Sequence, residues 1–424
     1  MLSHAAVLPL ETLDPAAGDG DLAWLDRAVG DARVVALGES AHYNHESLLL
    51  RHRLLRYLVE RHGFRAYAME SGFAEGRRTD DWVRGGGDPL GDVQANGLTS
   101  LMGLWTEIRA QLEWLREHNA GAAEPVGFAG IDLPGSMVSL LPGLEAVLAY
   151  LARADPGYTG GQALREAAAF AAPSAFSAPA AMAGYQALPE ATRDALTAGL
   201  ADLTERLRSR PGDSADYDRV RRILETTVVL DGLARSMARG DHEAMMRDRD
   251  AAMADTVEWV LGRAGRVVVA AHNGHILRCP VALPGLPPLT MMGAHLAGRL
   301  GAGYLAIGTT TGSGWTLNTG PGFYAGELFT EQGPPEPGSL DALLAASHDG
   351  PFAVDLRTLS PADAAALAGA PRQRFGPHYS ELNARDAYDV LVHLPRVTPA
   401  EPDKDALAYA PAEVREAFAR LVAG

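Results

Sequence analysis

Four short apolar runs in this chain each stop on ionisable side chains, and they constrain its fold more than any other feature. They read Val34-Val35-Ala36-Leu37-Gly38-Glu39-Ser40-Ala41-His42, Arg65-Ala66-Tyr67-Ala68-Met69-Glu70, Val126-Gly127-Phe128-Ala129-Gly130-Ile131-Asp132, and Val267-Val268-Val269-Ala270-Ala271-His272-Asn273-Gly274-His275. Continuous apolar runs of this length, separated by long helical stretches, are the pattern of strands buried on both faces of a parallel sheet. In open α/β sheets, ligands bind in the crevice beyond the carboxyl ends of the strands. The pattern predicts an α/β protein in which carboxylates and imidazoles from distant segments meet at one sheet edge.

Composition narrows the chemistry. With 424 residues the chain can bury a large core, and 37 bases against 53 acids leave a net charge of −16. That balance argues against nucleic acid or an anionic membrane surface as a partner; the partner expected is a small-molecule substrate. The single lysine, Lys404, lies in a polar stretch, which argues against Schiff-base cofactor chemistry; no phosphate-binding glycine–lysine loop occurs. The one cysteine, Cys279, excludes an intrachain disulfide and reads as a small apolar side chain. Met1 to Leu10 carries no secretory pattern and no run reaches membrane-spanning length, so the expected location is cytoplasmic.

Three parts are expected along the chain. Residues 1–155 form the first part of an α/β core, with strands at 33–38, 65–70 and 125–131 and helices at 22–29, 43–62, 74–84, 101–119 and 136–153. Residues 156–262 show helical spacing without a convincing strand and read as an insertion walling or covering the cleft. Residues 263–424 complete the core, with strands at 266–271, 303–309, 352–356 and 388–394; the Gly/Pro-rich stretch 312–339 reads as loops.

Glu39 and His42 lie three apart where a strand turns into a helix, so one turn brings both over the sheet edge. A carboxylate beside an imidazole raises its basicity and fixes its orientation, as a general base requires. Glu70, at the end of a buried strand, needs a partner. On the helix after His42, Leu48, Arg51, Leu55 and Leu58 share one stripe, whereas Arg53, Arg56 and Glu60 mark a polar face. Arg51 is therefore expected as an internal counter-charge for the acids. His272 and His275 can bind metal, donate to a developing oxyanion or cap a loop. Asp132 reads equally as a helix cap or a site residue, and Arg249 reaches the site only if the helical insertion folds back. His45 and Glu46 read as ordinary helix residues. There is no G-x-S-x-G elbow, no H-E-x-x-H and no dinucleotide fingerprint, which leaves acid–base chemistry by Glu and His.

Six collinear blocks resemble the erythromycin esterase family, which includes many succinoglycan-biosynthesis-like proteins. They are Gly38-Glu39-Ser40-Ala41-His42 with Glu46; Met69 to Glu75; Trp114 to Asn119; Gly127 to Leu133; Arg249-Asp250-Ala251-Ala252-Met253-Ala254; and Ala271 to Ile276. The resemblance implies a mixed, mostly parallel sheet flanked by helices, with a deep cleft. It implies hydrolysis without metal or other cofactor, His42 activating water within a set of Glu39, Arg51, Glu70, His272 and His275. Many relatives carry Gly after the first histidine. Tyr43 stands there in this chain, so a macrolide substrate does not simply carry over; its ring would narrow the cleft or offer a hydroxyl. With Asp132 and Arg249, Tyr43 completes the expected substrate-binding set.

The expected reaction is hydrolysis of a carboxylic ester or lactone, with His272 or His275, helped by Arg51, stabilising the carbonyl oxygen. Two other reactions fit the same residues. One is an intramolecular cyclisation, isomerisation or elimination in natural-product biosynthesis, which would leave no water in the product. The other is metal-dependent hydrolysis, which chelation would abolish. A degenerate binding protein would turn over nothing.

Overall fold

Valine, alanine and glycine dominate the strands that form the middle of the molecule. The computed structural model describes residues 1–212, 214–281 and 288–423, leaving aside the side chains of 242–246, 422 and 423. Its strands are β1 (Leu8–Pro9), β2 (Val34–Glu39), β3 (Ala66–Gly72), β4 (Gly127–Asp132), β5 (Val267–His272), β6 (Tyr304–Leu317), β7 (Phe329–Gln332), β8 (Phe352–Asp355), β9 (Arg372–Phe375), β10 (His378–Glu381) and β11 (Val390–Val397). Nine of them join one sheet in the order β1-β8-β11-β6-β2-β5-β3-β4, with β7 added on β6. The run from β11 to β4 is parallel throughout, and β1, β7 and β8 pair antiparallel. This is the mixed, mostly parallel sheet flanked by helices that the apolar runs and the family resemblance implied.

Every residue of β2 and β3 is buried because both sheet faces carry a core. Val35 and Leu37 belong to one cluster, with α1 (Trp24–Val29), α2 (His45–His62) and α5 (Thr106–Gly121). Val34 and Ala36 belong to the opposite cluster. Side-chain alternation along a strand is what divides the two.

Helices α3 (Gly76–Val83), α4 (Leu90–Gly97), α5 (Thr106–Gly121) and α6 (Leu141–Ala154) follow β3 and β4. Between β4 and β5 the described residues contain helices and no strand: α7 (Gly161–Ala168), α8 (Ala178–Ala187), α9 (Glu190–Ser209), α10 (Ala215–Ala238) and α11 (His242–Ala264). Apolar residues of α6, α7, α9 and α10 share a third core, whereas Met253, Val257 and Val260 of α11 pack into the cluster on the sheet. Short α12 (Asn273–Ile276) and α13 (Met292–Leu300) follow β5. No helix among the described residues is long and apolar enough to cross a membrane.

Three departures from the sequence expectations have physical causes. Residues 312–339 are not all loops: β6 runs on to Leu317 and pairs with β7. Glycine there serves close approach, not turning, since a Cβ on Gly312 or Gly314 would run into the Pro395 or Val397 backbone of β11. Helices α2, α5 and α6 start later than periodicity suggests because Tyr43, Ser100, Leu101, Ser136 and Met137 have φ between 54° and 65°, which breaks a right-handed helix. Arg53 is not on a solvated face. It is 2 % exposed and donates to Asp21 and to the carbonyls of Thr12 and Gly18, so the N-terminal segment closes over α2. His45 and Glu46 hold the start of α2 in place by bonding Glu107 and Thr398 respectively.

Candidate active site

Parallel register places the charged groups. Glu39 and His272 end β2 and β5 and stand side by side as register partners. On the other side of β5, β3 delivers Glu70 one residue beyond the Met69–Ala270 pair, and β4 ends on Asp132. His42 lies in the turn after β2, His275 in α12, and Arg249 reaches in from α11. His42, Glu70, Asp132, Arg249, His272 and His275 all line one cavity of about 310 Å³. Tyr43, Ser100 and Phe375 contribute to its walls.

The first dyad joins Glu39 to His42. Nδ1–H of His42 donates to Glu39 Oε1 at 2.6 Å, which leaves Nε2 as the nitrogen that can take up or release a proton. Arg51, 5 % exposed, donates Nη1 to the other Glu39 oxygen at 3.4 Å and holds that carboxylate from beneath. Burial disfavours a charged Glu39, but Arg51 and His42 outweigh it and hold its pKa below the usual range. Burial also disfavours a protonated His42; Glu70 and Glu39 outweigh that and raise its pKa.

A second dyad faces it across Glu70. His275 donates Nδ1–H to Asp250 at 2.7 Å, and its Nε2 lies 3.2 Å from Glu70 Oε1. Burial opposes its charge, but Asp250 and Glu70 push the pKa up to about 10, so this imidazole is a cation at neutral pH. Arg249 makes a forked pair with Asp132, at 3.0 and 2.6 Å, and donates to Glu70 at 3.2 Å. The pKa of Glu70 is well depressed: burial works against this, and His275, His42 and Arg249 overcome it. The arginine beside Glu70 is therefore Arg249, whereas Arg51 serves Glu39 and is not among the cavity-lining residues.

His272 differs from both. Its Nδ1 accepts from Gly274 N–H as the cap of α12, and its Nε2–H donates to the Ser40 carbonyl at 3.1 Å. Burial and the neighbouring His42 lower its pKa to about 4, so it is neutral. With both nitrogens engaged it packs as a wall, its ring 5.3 Å from that of His42. Tyr43 narrows the cavity without offering its hydroxyl, which donates to the Ser100 carbonyl while the ring stacks on Trp105. Its φ of 63° accounts for glycine being the ordinary choice at such a position.

Asp250 is fully buried and orients His275, yet it was absent from the residues expected from sequence. The sequence signal was its place beside Arg249 in the block Arg249 to Ala254; its burial, which makes a partner necessary, shows only in the fold. Among the described residues no group of three or more His, Cys, Asp or Glu side chains is arranged to hold a metal ion.

Comparison with known proteins places these residues in context. The family model for erythromycin esterase matches residues 59–397, a span that contains Glu70, Asp132, Arg249, His272 and His275 and begins after His42. Erythromycin esterase type II of Escherichia coli is 31 % identical over 323 residues, covering 73 % of this chain and 76 % of that protein. Among solved structures, a Bacillus cereus protein superposes with a TM-score of 0.77 at 22 % identity, covering 94 % of this chain and 97 % of the other. A variant of the erythromycin esterase EreC in its open conformation gives 0.75 at 22 % identity, covering 92 % and 97 %. At that identity these two similarities speak for the fold alone.

Proposed function

The chain belongs to the erythromycin esterase family, and from that premise we propose that it is a hydrolase of carboxylic esters or lactones in which His42 activates water without a metal. One observation carries the mechanism. Of the six imidazole nitrogens of His42, His272 and His275, Nε2 of His42 alone lacks a hydrogen-bond partner among the described residues. It borders the cavity, and Glu70 Oε1 lies 3.9 Å away, a gap suited to a bridging water.

A water held between Nε2 and Glu70 gives its proton to His42 as its oxygen attacks the substrate carbonyl. Glu39 fixes the reactive tautomer and stabilises the imidazolium. The oxyanion forms on the side of Arg249 and His275, the two cations lining the cavity, whose positive charge favours it; electrostatic stabilisation of this kind is typically worth about 3–4 kcal/mol. Collapse of the tetrahedral adduct returns the proton to the leaving alkoxide. Ring opening of a lactone is the same step with both products on one molecule.

Replacing His42 with Ala should lower turnover by at least ~100-fold while the protein still folds. Wild-type rates in that variant would overturn the assignment. The product should gain the mass of one water, which separates hydrolysis from cyclisation or isomerisation, and activity should survive chelation.

A further inference from the structure

All five non-glycine residues with positive φ among the described residues line cavities at or next to the proposed active site. Tyr43 and Ser100 line the catalytic cavity. Ser100, Leu101 and Ser136 line a second one of about 240 Å³, and Ser136 and Met137 a third of about 150 Å³. Each neighbouring pair of cavities shares a residue, Ser100 between the first two and Ser136 between the last two. These two residues touch: Ser100 N–H donates to Ser136 Oγ at 3.0 Å. Glu75 accepts from Gly135 N–H at 2.7 Å and braces the same loop. Left-handed conformations are costly for Leu and Met, and such outliers cluster where the surrounding structure holds a ligand wall in place.

The chemistry changes along the row. The catalytic cavity carries paired charges. The third cavity lies between the loop after β4 and helices α8 and α10, walled by Met137, Met182, Met237, Phe170 and Leu230. Methionine is the side chain that best adapts to ligands of varied shape. Ala181 and Ala234 leave the space open. A polar reacting end and an apolar far end describe one amphiphilic ligand.

We propose that the Met137–Met182–Met237 cavity is a substrate subsite that takes an alkyl or aryl appendage of the ester or lactone attacked at His42, with Ser100 and Ser136 as the sill between the compartments. The subsite rests on the hydrolase assignment, and its test separates the two. On straight-chain 4-nitrophenyl esters, kcat/KM should rise from acetate to decanoate. Ala181→Phe, and independently Ala234→Phe, should cut the decanoate value by about ten-fold or more while leaving acetate unchanged. Binding of n-octanol, followed by calorimetry on the His42→Ala protein, should be lost when Ala181→Phe is added. Octanol binding that Ala181→Phe abolishes, when the wild-type protein hydrolyses none of these esters, keeps the subsite and removes the hydrolase. Hydrolysis without chain-length preference, with the filled variants behaving as wild type, overturns the subsite. Thermal melts identify a filling variant that fails to fold, and the other alanine position then decides.

Discussion

Glu39, Glu70, Asp132 and Asp250 set four carboxylates against three cations, Arg51, Arg249 and His275, within one network of contacts. The count leaves one negative charge, which a proton on His42 cancels. An imidazolium at His42 is therefore the charge state that the site balances, as expected for a base that must accept a proton during the reaction. The pH dependence follows. In the proposed mechanism His42 acts only when neutral, so activity should rise with pH through its raised pKa. Glu39→Gln removes one of the carboxylates that raise it, so the acidic limb of kcat/KM should move to lower pH. Turnover should fall by about 100-fold or more, because an amide no longer enforces the Nδ1–H tautomer. A pH–rate series on both proteins checks this; an unmoved limb would remove Glu39 from the role.

Elements place these residues, and α2 shows how. The stripe of Leu48, Arg51, Leu55 and Leu58 was legible as a buried face, and Arg51 does point at Glu39. Arg53 was misread because helical periodicity treats everything outside the stripe as solvated, whereas residues 12–21 cover that face. Arg53→Met should destabilise the protein by about 1.5–3 kcal/mol, the scale of hydrogen bonds to a charged group, measured by urea unfolding. Activity per folded molecule should be unchanged. The β6–β7 hairpin was hidden for a related reason: Gly312 and Gly314 mark contact with β11, which only the paired strand reveals.

At the scale of the whole molecule, the site couples folding to pH in both directions. His272, held neutral with a pKa of about 4, contributes stability that is complete above the ordinary imidazole value and lost as pH falls through its own. Glu39 and Glu70, with lowered values, contribute above the ordinary carboxylate range and lose that contribution in acid. His42 and His275 are raised, so their contribution is complete below the ordinary imidazole value and lost on the alkaline side, for His275 through about pH 10. Melting temperature from these groups should therefore peak at about pH 6.5. Asp250→Asn, which removes the largest contact raising His275, should flatten the alkaline fall. An equal fall in both proteins would count against the Asp250–His275 dyad.

The buried strands, and the acids and imidazoles at their ends, are legible in the chain alone, because a run of apolar residues is a local property. Parallel pairing then leaves those ends little choice but to meet. Which cation serves which acid, and which nitrogen stays free, was decided only in the folded molecule. Arg249 reaches Glu70 across 179 positions of chain and His275 finds Asp250 across 25. Electrostatic pairing is set by distance and burial in space, and neither is encoded in the spacing of residues along a strand or helix.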